Sequence, residues 1–217
     1  MRKPARKRAH KRAAPRRTNP QRTAEMRARL IGATIDILFA GSYAVATTLE
    51  VAKRAGVSRG AMLHHFPSRT ALLLATVEHI MLAQRQYRID RLRDIADDWR
   101  RFVAAADVSW EVQKQPATIA LLEILLAARS DRALRKGLVP LLREMNAMRA
   151  ESAARLATTL GIADTGKLNE LILLHLCSLR GLAISMMFTR EPADAERARE
   201  LLQHCERTYA LSLRPER

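Results

Sequence analysis

Cysteine is almost absent from this chain. Only Cys177 and Cys205 occur among 217 residues, far apart and each within a helical pattern. They offer neither a disulfide framework nor metal-ligand spacing, so two buried thiols in a reducing compartment are expected. Aromatic residues are also scarce, at 4%, and glycine and proline number eight each. No run alternates apolar and polar side chains with the two-residue period of a half-buried strand, which argues against a sandwich or barrel. With hydrophobic residues at 48%, mostly leucine and alanine, the chain reads as all-α.

A long uncharged apolar run is missing as well. The most apolar stretch, 171–188, is interrupted by His175 and Arg180 and falls short of the uncharged run of ~18 or more residues expected of a membrane span. The N-terminus lacks the apolar segment of a secretory signal. A cytoplasmic protein without a membrane partner is therefore expected. Catalytic motifs are missing too: there is no G-x-G-x-x-G, P-loop, H-E-x-x-H or C-x-x-C. His64 and His65 are neighbours and would point about 100° apart on a helix, a poor metal pair. No catalytic residue, metal site or cofactor is expected.

What the chain has in excess is positive charge, +16 overall. Ten of the 38 basic residues fall within positions 1–22, where no acid occurs, leaving 28 basic against 22 acidic residues elsewhere. This segment contains Pro4, Pro15 and Pro20 and too little apolar mass to fold alone, so it reads as a basic disordered arm. Such an arm attracts nucleic acid by counterion release, whatever the sequence.

Residues 47–66 carry the most specific pattern. Thr47 and Glu50 have the spacing of a capping box, and Val51, Ala52 and Ala55 give the helix that follows a small apolar face. Gly56 stands where a left-handed residue ends a helix, and Ser58 where the next helix is capped. Two short helices across a tight glycine turn form a helix-turn-helix pattern, whose second helix enters the major groove. A helix over 24–40 precedes it, with Met26, Leu30, Ala33 and Ile37 at helical spacing, and Pro67-Ser68-Arg69 leads into a long helix after it. With Ala55-Gly56-Val57-Ser58, Gly60 and His65-Phe66, this arrangement resembles the DNA-binding domain of the tetracycline-repressor (TetR) family over about residues 24–80.

That resemblance implies a helix-turn-helix domain over 23–69 and a helical effector-binding and dimerisation domain over 70–217. The periodicity predicts helices over 69–92, 97–112, 116–129, 131–160 (kinked or split at Pro140), 166–188 and 192–213. The family pattern makes the last two a four-helix homodimer interface, to which Leu171, Leu174, Ser178 and Leu182 fit, with Gly181 admitting a close approach. For DNA, Ser58, Arg59, Gly60 and Ala61 form the turn that faces base edges, Arg59 being suited to guanine and Ala61 to a thymine methyl. Thr47, Thr48 and Arg69 are phosphate candidates. Where the family often has an aromatic pair on the backbone, this chain has Leu63 and His64, so only His64 keeps polar reach. Met62 and Phe66 should anchor the core. Trp99, Trp110, Met145, Met148, Met186 and Met187 could line a cavity, although core packing is the default for each, and His175 is a core histidine or an effector contact. Trp110, Met148 and His175 are the ligand candidates. The implied protein is a transcriptional repressor on double-stranded DNA, answering to an unknown small-molecule effector. The alternative is an architectural nucleic-acid-binding protein led by its arm.

Overall fold

The computed structural model describes residues 19–188 and 191–214. Within them lie nine helices: α1 (Asn19–Ala40), α2 (Thr48–Arg54), α3 (Arg59–His65), α4 (Arg69–Leu92), α5 (Asp98–Gln113), α6 (Pro116–Ala127), α7 (Arg132–Leu160), α8 (Thr165–Met186) and α9 (Pro192–Ser212). Local chemistry sets most of these starts. The side chains of Thr47, Ser58, Ser68, Asp97, Asp131 and Asp164 each accept a backbone N–H from the first turn of α2, α3, α4, α5, α7 and α8. Proline opens α6, where its missing N–H is one of the unpaired donors anyway.

Three expectations are corrected here. Residues 19–22, assigned to the basic arm, lie in α1, because Pro20 fits the first turn of a helix; positions 1–18 lie outside the described residues. α7 runs through Pro140 as one helix rather than splitting, and gives up one backbone bond there. Cys177 and Cys205 are exposed, not buried, because the chain's own packing covers neither side chain.

The helix-turn-helix and the bundle do not have separate cores. Leu30 and Leu38 of α1, Val51 of α2, Met62 of α3 and Leu72 of α4 belong to one buried cluster with Leu121 and Ile124 of α6 and Leu134 and Leu138 of α7. α1 therefore packs on α6, and α4 passes from the head into contact with α5, α6 and α7. Gly137 of α7 leaves room for the Leu74 side chain of α4, since a Cβ there would meet Leu74 Cδ1 at 2.4 Å and that side chain would have to turn aside. A second cluster (Phe102, Ala157, Leu160, Leu168 and Ala210) fills the far end of the bundle.

α8 is the most apolar long helix, with a mean hydropathy of 1.3 over its richest 18-residue window. By length and composition alone it could cross a membrane, contrary to the reading of 171–188 given above. Yet α8 packs against α5, α7 and α9, and His175 is buried within that packing.

Candidate functional site

The turn between α2 and α3 is built from the backbone upward. Gly56 sits at φ +65° and donates its N–H to Lys53 O at 3.1 Å, while Val57 N–H reaches Ala52 O at 2.9 Å. These two bonds are a Schellman closure, and the left-handed residue inside it favours glycine. Thr47 Oγ1 accepts from Glu50 N–H at 3.2 Å, half of the expected capping box. The reciprocal half is missing because the Thr47 amide already donates to Val45 O at 2.7 Å. Glu50 lies instead 3.9 Å from exposed Lys53.

Ser58 Oγ accepts from Ala61 N–H at 3.1 Å and opens α3, while Met62 (0% exposed) and Phe66 (2%) hold it down as anchors. Ser58, Arg59, Gly60 and His64 are exposed and Ala61 is half-buried. Arg59 makes no hydrogen bond or ion pair among the described residues, so its five donors are free. Thr47 is exposed and Thr48 half-buried beside it, and the Thr47 hydroxyl keeps its proton for an outside acceptor. These positions all lie on the α2–α3 unit and its caps. Arg69 does not belong to it: its Nε donates to Ala46 O at 2.8 Å, Nη2 donates to Tyr43 O, and the guanidinium stacks 3.9 Å over the Tyr43 ring. A cation at a helix start can serve phosphate or a nearby carbonyl, and here the α1–α2 loop takes it. Arg27, not singled out by sequence, closes the other side by donating to His65 O at 2.9 Å and stacking 4.3 Å over Phe66.

Tyr43 joins this head to the bundle. Its hydroxyl donates to Asp131 Oδ2 at 2.6 Å and its amide donates to Glu123 Oε2 at 3.0 Å. The Leu134 amide and then the Tyr43 hydroxyl hold the Asp131 carboxyl below the usual range.

Inside the bundle lies a cavity of about 420 Å³ lined by residues of α4 to α9. Of the candidate ligand residues, Met148 and His175 line it, and so does Met145. Trp110 does not. It is buried against Leu179 and Ala183, and its Nε1 donates to Glu196 at 3.0 Å, tying α5 to α9. Trp99 packs on Phe102 and Met186 on the Trp110 cluster, while Met187 is exposed. Sequence reasoning passed over Arg88, Arg149 and Glu206 in the cavity wall; the interruption of an apolar run by Arg180 was the available signal. His175 Nδ1 lies 3.0 Å from Glu206 Oε2, both side chains being buried, but neither ring nitrogen has an aligned hydrogen-bond partner. Burial pushes the Glu206 carboxyl up and the His175 imidazole down. Among the described residues no cluster of three or more metal-binding side chains occurs.

On the outer face of α8 and α9, Leu174 and Leu201 are more than 60% exposed. Ser178, Gly181, Leu182, Ala198, Leu201, Leu202 and Cys205 line a shallow apolar groove there. Leu171, expected on this face, is instead buried in the chain's own core.

Comparison with known proteins agrees with this geometry. Residues 30–76 match the family model described as bacterial regulatory proteins, tetR family. The HTH-type transcriptional regulator CymR of Pseudomonas putida is 28% identical over 194 residues, 85% of this chain and 90% of its own length. The uncharacterised HTH-type transcriptional regulator Mb2936c of Mycobacterium bovis is 32% identical over 139 residues, 64% of this chain and 71% of its own. Among solved structures, a transcriptional regulator from Saccharomonospora viridis in complex with choline superposes with a TM-score of 0.62 at 18% identity, covering 83% of this chain and 95% of that one.

Proposed function

This chain belongs to the TetR family of bacterial helix-turn-helix transcriptional regulators, and from that premise we propose that it is a ligand-responsive repressor binding a pseudo-palindromic operator as a homodimer. The observation that carries the DNA half is Arg59, exposed and unpartnered in the first turn of α3, where a bidentate contact to guanine O6 and N7 is available. Thr47, Thr48 and His64 supply phosphate contacts on either side, and Ser58, Gly60 and Ala61 let the helix sit deep. Residues 23–69 act as the head and 70–217 as the body, which works in the cytoplasm. The family is one of DNA-binding regulators, not of enzymes.

The homodimer reading is supported by α8, of whose most apolar window only 22% is buried within the chain. A second copy laid across the α8–α9 groove would cover Leu174 and Leu201 by an isologous contact. The effector reading is supported by the cavity, whose wall includes Met81, Gln84 and Arg85 of α4, the helix that begins beside the head. A ligand that fits one α4 position better than another would shift the spacing of the two heads by its differential affinity. The related fold from Saccharomonospora viridis holds a small molecule, choline.

A footprint on the DNA flanking the protein's own gene tests the proposal. Two protected half-sites related by a two-fold centre are expected, together with higher transcription when the gene is deleted. Coverage indifferent to sequence would favour the architectural alternative.

A further inference from the structure

The interior cavity contains charge without counter-charge. Arg85 and Arg88 of α4, Arg149 of α7 and Arg180 of α8 face a single acid, Glu206 of α9. Arg149 is already committed, donating to Asn169 Oδ1 at 2.6 Å and to Asn169 O at 3.3 Å. Arg88 is not. Among the described residues it has no hydrogen bond and no ion pair, and its Nε is fully shielded without an acceptor. Burial, and then the neighbouring Arg180 charge, push its guanidinium below the usual range. Glu206 does not neutralise it, since that carboxyl faces His175 and burial favours its protonated form. A half-buried guanidinium whose Nε is shielded without an acceptor carries an unmet cost, and an anion entering the cavity would supply the missing partner.

We infer that the cavity receives an organic monoanion, a carboxylate on an apolar body, with its head on Arg88 beside Arg180 and its body against Phe102, Leu125, Met145 and Ile172. The assignment rests on the reading of this cavity as the effector site. Two carboxylate oxygens match the planar fork of a guanidinium, which gives direction as well as charge. A neutral ligand would leave Arg88 unpaired, and a cation would be repelled by both arginines. A volume of about 420 Å³ suits a small molecule, and the apolar wall asks for a body that loses water on entry.

The test is calorimetric titration of the full-length protein with three matched sets. One apolar body each (phenylbutyl, octyl or naphthylmethyl) ends in carboxylate, carboxamide or ammonium. In at least one set the carboxylate should bind tenfold or more tighter than its two counterparts. Arg88→Met should erase that preference while leaving amide binding unchanged, and Arg88→Lys should keep a weakened one. Ligand-free Arg88→Met should also melt a few degrees above wild type, because an apolar chain of similar length replaces a half-buried guanidinium whose Nε has no acceptor. Carboxylates within threefold of their amides in every set would overturn the assignment. So would a preferred ammonium, silence from all nine compounds, a preference that survives Arg88→Met, or a lower melting temperature in that variant. Operator release is read separately by fluorescence anisotropy. Selective carboxylate binding without release would support the anion assignment and refute the effector reading. Release by amides and carboxylates alike would do the reverse.

Discussion

The head and the body treat their buried polar groups differently. In the head, Thr34 is fully buried, and its hydroxyl donates to the Leu30 carbonyl four residues earlier at 2.8 Å. The shielded side-chain atoms without partners (Arg88 Nε, Gln113 Oε1 and both nitrogens of His175) all lie in the body. The body also carries the exposed apolar face of α8 and α9. A buried polar group without a partner costs about 1–3 kcal/mol, so such groups mark places where the isolated chain is incomplete. The α2–α3 turn of the head satisfies its backbone within the chain, while its core is shared with α6 and α7. The body keeps shielded polar atoms and an apolar outer face that the described residues leave uncovered, and under the proposed function a second copy and a ligand would complete it.

The largest effect should come from breaking the body's outer face. Leu201→Glu places a charge in the centre of the proposed two-fold contact, opposite its own symmetry mate. Sedimentation should show a monomer at micromolar concentration, and operator affinity should fall by roughly 10²-fold or more as the second half-site is lost. A dimer that persists with unchanged affinity would move the interface elsewhere. The melting of the cluster that α1 to α4 share with α6 and α7 should hardly change, since it contains no residue of α8 or α9.

Next comes the buried pair inside the body. Burial raises the Glu206 carboxyl to about 7 and lowers the His175 imidazole to about 4, with Arg207 and Asp107 respectively opposing part of each shift. Folded Glu206 holds a proton that the unfolded chain gives up near 4.5, so its contribution is lost as pH rises from there towards 7. Folded His175 refuses a proton that the unfolded chain takes up near 6.5, so its contribution is lost as pH falls from there towards 4. In wild type the two slopes cancel over most of that window, because pair and unfolded chain each bind one proton. Glu206→Gln should uncover the histidine slope and lose roughly 2–3 kcal/mol between pH 7 and 4 beyond wild type. His175→Gln should tilt the opposite way. Chemical denaturation across pH decides it, and two flat profiles would mean that the pair is not shielded from water.

On the head's side, Arg59→Ala should cost roughly 1–3 kcal/mol of operator discrimination and little non-specific affinity. Competition binding against scrambled DNA measures both quantities. An unchanged ratio would leave specificity to other positions on α3. The melting temperature should stay put, since Arg59 is exposed and has no hydrogen bond or ion pair to lose.

The same contrast explains what could be read from the sequence. The head was legible because its determinants are local: Gly56 closes one helix, Ser58 opens the next, and Met62 and Phe66 fall on the buried side at helical spacing. The intramolecular partners of Arg69, Tyr43 and Ala46, stand more than 20 residues back, and sequence spacing cannot reveal such a contact. In the body almost everything that matters is long-range. Trp110 was drawn into the core by Glu196, 86 residues away, and Arg88 meets Arg180 only once α4 and α8 enclose the cavity. The exposure of Cys177 and Cys205 was hidden for a related reason: an apolar helix face looks the same whether its own chain or a partner covers it.

The smallest effect should arise where the two regions meet. The Tyr43 hydroxyl donates to Asp131, and Asp131 also caps α7 through the Leu134 amide at 2.9 Å. Arg69 stacks on the same ring at the start of α4, so one side chain touches the loop before α2, the first turn of α4 and the first turn of α7. Tyr43→Phe keeps the ring and the stacking but removes one charge-assisted hydrogen bond. At a half-buried site this should cost about 1 kcal/mol and lower the melting temperature by roughly 2–4 °C. The deficit should shrink in acid. A depressed carboxyl contributes above its unfolded value and loses that contribution as pH falls through its folded one, so a protonated Asp131 no longer rewards the tyrosine. If the contact also transmits the state of the cavity, ligand-free DNA affinity should change little while ligand-induced release weakens, because coupling is a difference between two states and not a property of either alone. Equal release in both proteins would make Tyr43 a brace for the head and assign transmission to the shared core of α1, α4 and α6.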